Sequence, residues 1–497
     1  MFRRQDGISL IMAVGVLGVL SLSGATLIEY ANSNSRSSEY SKDNSSAYGV
    51  AEAGLNEMMS VLSHPSNNAL NATLLPETTR SYDGGTVTWS GVFDKPSAVW
   101  SLTSIGRIEN PTGATAADVT RVLTAKVPVT ATTTQPLNNP SWNYIMSTQT
   151  GNTCDMTIGS TVEVRTNLYV FGNLCLQQSA KVLKGETNPT TLIVNGKLDQ
   201  ATQHNTVGMT GASQGISDVR IAGGCEWFTR PLYDECVTGS ETSVYAETFS
   251  TEPATLAAPN ASFDAWYVNA APGPYFPCVT VSGTPPTFDS PVAAEAASET
   301  EKLTYKNNNL AVQDLTPTGS SYTCRVQSGG ELSWDATSKV LTVSGTIYID
   351  GDAKIEFSTP TVVQYNGQGS LYLSGSFKLK NAKLCGGVSG AGCDFSAWNP
   401  NTEMLAIVVD GDNRQPEVSS GYSIKMLNSQ FQGALYATKK IDVDSFSRVD
   451  GPVIATEVVL GQSVSTNDFP NITTVPAGMP GNATVYAQPN PPQLYSG

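Results

Sequence analysis

Residues 1–28 read MFRRQDGISLIMAVGVLGVLSLSGATLI, and the reading of this stretch governs the rest of the chain. Arg3 and Arg4 precede an uncharged run of 21 residues, 8–28, long enough to cross a bilayer as a helix, with the arginines on the cytoplasmic side. A secretory signal peptide would be cut after its apolar run, and SLSGA at 21–25 is passable as such a site. The residues that follow argue against it. No proline occurs between 29 and 62, and Ala47, Ala51, Leu55, Met58, Met59 and Leu62 recur at helical spacing, so one face seeks an apolar partner. Pro65 ends the pattern. A single helix from Ile8 to about Ser63 would be roughly 80 Å long.

The basic leader ending in Gly7, the apolar segment that starts at Ile8 and the run AEAGLNEMM at 51–59 together resemble the type IV pilin-like superfamily, and within it the minor pilins of the PilX-like group. That resemblance implies a leader peptide at 1–7, cut by a prepilin peptidase between Gly7 and Ile8, and a membrane anchor and long helix over 8–64. It implies residence in the cytoplasmic membrane of a bacterium before assembly, then at the cell surface or in an extracellular pilus, with other pilins as partners. Major pilins of the family carry Glu at the fifth mature position, where it pairs with the terminal amine of a neighbouring subunit; here that residue is Met12. An amine buried without that partner is costly. The implied role therefore moves to a minor, tip or initiating subunit, or to a surface anchor outside any pilus. Gly15, Gly18 and Gly24 are either ordinary glycines of a membrane span or points of close helix contact within a filament.

Beyond the helix, the chain of 497 residues is too long for one ordinary core, and only 14% of it is charged. Abundant Gly, Pro, Ser, Thr and Asn favour short strands and tight turns. A net charge of −15 with no long basic run opposes general nucleic-acid binding. Eight cysteines in an exported chain predict disulfides rather than a metal or redox site. Sequence order suggests Cys154 with Cys175, Cys225 with Cys236, Cys278 with Cys324 and Cys385 with Cys393, among many connectivities open to eight cysteines.

Three runs, 85–93 (GTVTWSGVF), 98–108 (AVWSLTSIGRI) and 119–129 (VTRVLTAKVPV), alternate as strands of a small antiparallel sheet over 65–130, which would cover Ala51, Leu55 and Leu62. A helix against such a sheet is what a pilin head looks like. TATTTQPLNNP, at 130–140, reads as a linker over 131–140. From 141 to 475 short apolar runs punctuated by Gly and Asn predict a large β domain. Triplets such as Ile347, Tyr348, Ile349 and Leu371, Tyr372, Leu373 beside turn glycines resemble irregular parallel β-solenoid proteins, with a β-sandwich as the alternative. Within it, about 225–324 is rich in Pro, Cys and aromatics and reads as a disulfide-rich insertion distinct from the coils. The tail 476–497, ending PNPPQLYSG, reads as extended and mobile.

Chemistry leaves few marks. GASQG at 211–215 has the nucleophile-elbow pattern around Ser213, but no helix signal follows and both histidines, His64 and His204, precede it, contrary to the order such hydrolases use. No phosphate-binding loop occurs. Acid pairs recur at Asp350 and Asp352, Asp410 and Asp412, and Asp442 and Asp444; Asp-Gly turn chemistry accounts for them, with calcium as the sharper alternative. No other cofactor is implied. The functional expectation is a surface-displayed subunit for adhesion or assembly, with a surface or glycan ligand as further partner; a membrane-anchored glycan-acting enzyme is the competing class.

Overall fold

The computed structural model describes residues 6–82, 84–95, 97–110, 117–132, 139–211, 214–228, 236, 238–270, 277–281, 301–302, 312–325, 330–349, 351–390, 392–411, 421–444, 446–481 and 486–496. The chain divides into two units, Met1–Thr132 with Tyr486–Gly497, and Thr133–Val485.

In the first unit, helix α1 (Asp6–Ser63) runs uninterrupted for 58 residues, about 85 Å. Its buried face begins at Ala47 and continues through Val50, Ala51, Leu55, Met58 and Leu62, the three- and four-residue steps of one helix stripe. The partner is an antiparallel meander of β1 (Thr78–Tyr82), β2 (Gly85–Asp94), β3 (Val99–Ile108) and β4 (Val119–Thr132). Val87, Trp89, Trp100, Leu102, Leu123, Ala125 and Val127 point inward from it. Contact is close because the residues between helix and sheet are small. A Cβ on Gly106 would stand 2.1 Å from the Ala47 carbonyl oxygen, so the helix backbone lies directly on β3. Ser104 Oγ donates to the Ala51 carbonyl at 2.7 Å.

Two segments of the tail are strand-paired. Tyr486–Pro489 and Gln493–Ser496 both add antiparallel to β4, opposite Val129–Thr132 and Leu123–Lys126 respectively. The prolines that suggested disorder fall at the end of the first strand and in the turn, where no ladder donor is required. The linker is also narrower than 131–140. Ala131 and Thr132 belong to β4, 133–138 lie outside the described residues, and Asn139 Oδ1 accepts from Ser141 N at 2.9 Å to cap a 3-10 turn, Pro140–Asn143.

The second unit is a parallel β-solenoid and not a sandwich. One column of side chains, related strand to strand by register, runs Ile347, Leu371, Ile407, Leu435, Val453, Ile145, Leu168, Leu192, Val219, all buried. The order is not that of the chain. The chain enters in the middle at Ile145–Ser147, winds outward to Ala246–Ser250, crosses to the opposite end at Val340–Ile349, and winds back until Val453–Leu460 pairs with the entry strands.

The crossing explains why alternate residues on these strands are buried as well. Tyr372, Tyr436 and Tyr169 point away from the aliphatic column, yet a strap at 251–266 covers them. Tyr169 Oη donates to the Ala254 carbonyl at 2.5 Å and accepts from Leu256 N at 3.2 Å, Tyr436 is bonded to the Ala261 backbone, and Phe263 and Trp266 lie 5.4 and 5.1 Å from the Tyr372 ring. Strands such as Met404–Val409 are therefore buried at every position, which produces the apolar triplets seen in the sequence.

The expected insertion at 225–324 is in part solenoid. Cys225–Trp227 and Ala246–Ser250 pair parallel with Leu198–Gln200 and Ile216–Ile221 as further coil strands. Its later portion does differ: Pro277–Val281, Ser321–Arg325 and Glu331–Asp335 are antiparallel and lead onto Val340–Ile349. Cysteines and prolines marked the segment as unusual, but the paired strands inside it are too short to carry a period.

One corner of the solenoid is built from glycine stacked on glycine. Gly196 N donates to Gly172 O at 2.9 Å and Gly223 N to Gly196 O at 2.8 Å, and a Cβ on Gly196 would lie 2.5 Å from the Gly172 carbonyl carbon. The same corner carries Gly351, Gly375 and Gly411 in the other half. Gly196→Ala should therefore lower the melting temperature of the solenoid transition, at a cost of about 1–3 kcal/mol. Gly49→Ala on α1, where a Cβ meets nothing within 4 Å, should be neutral or stabilising by up to about 1 kcal/mol. Circular dichroism melts of the two variants check the contrast, and equal behaviour would refute the stacked-corner account.

Candidate functional site

The feature least accounted for by the chain's own packing is the first half of α1. Leu10, Ile11, Val14, Leu17, Leu20, Leu22, Leu27 and Ile28 are exposed, and the helix is long and apolar enough to cross a membrane by length and composition. Met12 is 69% exposed, and a Cβ at Gly15, Gly18 or Gly24 would meet nothing within 4 Å, so no described residue packs against the small-residue positions. Gly7 and Ile8 lie within α1.

What holds the other half of α1 is polar at its rim. Glu57 takes Arg80 at 2.7 Å and the Tyr82 hydroxyl at 3.1 Å from β1, and Arg121 of β4 donates to Asn44. These contacts flank the buried stripe and fix the rotation of the helix on its sheet, which sets which residues the free half presents.

In the second unit, Cys154–Cys175, Cys225–Cys236 and Cys385–Cys393 are disulfides with Cα separations of 5.6, 5.0 and 5.1 Å. Cys324 is disulfide-bonded, and Cys278 stands directly opposite it across an antiparallel ladder. Cys175, Cys225 and Cys385 lie on coil strands, so these three bridges anchor neighbouring segments to the coil.

The acid pairs separate by position. Asp352 sits at the glycine corner, where its Oδ1 accepts from the hydroxyl of Ser376 on the next coil at 2.9 Å; Asp410 Oδ1 accepts from Thr438 Oγ1 at 3.2 Å. Asp442 and Asp444 share one face of Ala434–Asp444, and Asp442 pairs with Lys425 at 3.2 Å. Asp350 and Asp412 lie outside the described residues, as does Ser213. Among the described residues no three acids, histidines or cysteines gather as a metal site. The histidines belong to different units: His64 Nδ1 lies 2.7 Å from Ser66 Oγ just past α1, and His204 is in the solenoid.

The sequence reading passed over one buried acid. Asp450 is 3% exposed, pairs with Arg448 at 2.9 Å and accepts from Asn467 N at 3.0 Å. Burial outweighs these partners and raises its carboxyl to about 6. Asp199 is raised too, by burial and by Glu226 one coil away. Glu356, by contrast, is held low by its hydrogen bonds from Lys380 and Lys378 against a smaller effect of burial.

No family model matches the chain, and no curated protein matches it. Among solved structures, the crystal structure of the competence-associated pilin ComZ from Thermus thermophilus aligns over 92% of this chain and 98% of that one, at 13% identity and a TM-score of 0.32. That similarity is too low to carry an argument about fold or function.

Because the folded pKa of Asp450 lies above its unfolded value near 4, this group lends stability that is complete below about pH 4 and lost as pH rises through about 6. Asp450→Asn removes this contribution. From about pH 4 to pH 7 the wild type should lose on the order of 2 kcal/mol more than the variant. Melting both proteins across that range checks it; parallel curves would show that Asp450 is not so placed.

Proposed function

We propose that the chain is a type IV pilin-like subunit of a bacterial surface. Its α1 holds it in the cytoplasmic membrane before assembly and packs among other pilins afterwards. The solenoid is the part displayed, for adhesion or assembly. One observation carries this reading: a single helix has its second half docked on a small antiparallel sheet through Ala47, Ala51, Leu55 and Leu62, and its first half fully exposed and apolar. A soluble protein gains nothing from such a half. A membrane and a bundle of like helices both cover it, in succession.

Met12 supports a subunit of limited number, at the tip or the start of a filament. With no carboxylate at that position the subunit offers no partner to a neighbour's terminal amine inside an apolar bundle. A solenoid of some hundreds of residues on every repeat would also crowd a thin filament.

Export and processing test the proposal. Mass spectrometry of the protein from its native membrane and sheared surface fractions should show a first residue of Ile8, and Gly7→Val should leave the leader attached and the protein absent from the sheared fraction. A protein that retains Met1 in both fractions would instead be an anchored surface protein outside any pilus.

A further inference from the structure

On the solenoid of this acidic chain, a second corner carries an open groove with an uncharged lining. Six consecutive turns pass through one residue of positive φ: Asn381, Asn428, Phe446, Ser463, Thr161 and Ser179, at 46° to 61°. Hydrogen bonds relate neighbouring turns, as in Asn428 Nδ2 to Asn381 Oδ1 at 2.9 Å, Gly461 N to Val443 O at 2.6 Å, Ser463 N to Ser160 O at 3.3 Å and Thr161 N to Gln178 O at 3.0 Å. The turns of Ser463, Thr161 and Ser179 line an open cavity of about 500 Å³. Its rim is made by the exposed side chains of Gln177, Gln178, Gln462 and Thr161, and no lining residue is charged.

Phe446 belongs to the turn beside that cavity. It is 75% exposed and holds φ at 55°. Asparagine tolerates this conformation; a bulky aromatic does not adopt it cheaply, and an exposed ring recovers little by packing. The fold thus keeps a strained phenyl face in water at the end of a groove of amides and hydroxyls, with the Asp444 carboxylate beside Gly461 of its lining.

We propose that this corner groove binds a neutral, linear glycan. Each glutamine amide offers both donors and an acceptor, matching sugar hydroxyls that are donor and acceptor at once. The phenyl face suits the C–H face of a pyranose ring. Turns repeat about every 4.8 Å along the solenoid, close to the length of one sugar unit, so successive turns meet successive sugars. Anionic ligands find little here: Lys181 and Arg165, on the strands that follow the corner, are both committed to Glu163, at 3.0 and 3.4 Å. The inference names a ligand class for the displayed domain and rests, for its biological use, on the subunit reading above.

The full chain in detergent micelles should bind at least one of cellohexaose, chitohexaose and maltohexaose saturably by calorimetry. Phe446→Ala and the double variant Gln178→Ala, Gln462→Ala should each weaken that binding about tenfold or more, while Phe446→Trp retains it. Melting curves unchanged from wild type keep a loss of binding separate from a loss of fold, and Phe446→Trp gives a second check on the ring. No saturable binding of any of the three sugars, binding untouched by both variants, or a preference for polygalacturonate would each overturn the proposal. A chain cut before Ile8 that ignores all three sugars defeats this inference alone; sugar binding by a chain that keeps Met1 defeats the filament reading alone.

Discussion

Everything in the second unit depends on one seam, where Val453, Ile454 and Ala455 pair in parallel register with Ile145, Met146 and Ser147, and Val458–Leu460 with Met156–Ile158. Without it the unit would be two shorter stacks, each with an open edge of unpaired backbone groups in its middle. With it, the column from Ile347 to Val219 is continuous although its two halves are wound from opposite ends of the sequence. A seam between residues some 300 apart is entropically less severe than it sounds, because loop-closure cost rises only by about 0.6 kcal/mol for each doubling of length. The larger requirement is geometric: the chain must return along the outside of the stack.

That requirement sets the strap. Tyr169 and Tyr436 are three register steps apart, about 14 Å at ~4.8 Å a step. The strap residues that meet them, Leu256 and Ala261, are five apart in sequence, a reach of about 17 Å when extended. The strap thus runs nearly taut along the solenoid and has no length to spare for helix or coil until it reaches Phe263. Tautness brings its backbone within reach of the tyrosine hydroxyls, and those bonds convert what would be a solvated outer face into a second buried layer. A long-range closure also appears in the first unit, where β4 at Thr132 is paired with Tyr486.

How much of this could be read beforehand follows from the range of the interactions involved. The long helix, its stripe from Ala47 to Leu62 and strands β2 to β4 are local patterns, repeated every few residues, and they were legible. So was the solenoid texture, since apolar triplets beside glycines are local as well. The winding order was not. Val453 and Ile145 are ordinary apolar residues in ordinary strands, and nothing near either marks the other as its neighbour. The tail misled for a related reason: prolines are read by what they forbid, and Pro489 forbids nothing at a strand's last position. At the corner groove, the glutamines and Phe446 carried no signal because their meaning comes from the stacking of turns that the sequence separates by hundreds of residues.

The two units also differ in how they satisfy their apolar surface, and that contrast bears on function more directly than any single residue. In the solenoid even the outward tyrosines Tyr169, Tyr372 and Tyr436 are covered, by 251–266. In α1 the large apolar side chains from Leu10 to Ile28 stay exposed, although burying one large aliphatic group is worth about 1.5–3 kcal/mol. Summed over such a span, that is on the order of the whole stability of a domain. A sequence that covers its tyrosines so thoroughly at one place and leaves an entire helical turn series bare at another is not carelessly packed. The bare half is long and apolar enough to cross a membrane, and the sheet docked on Ala47 and Ala51 covers only the other half of the helix.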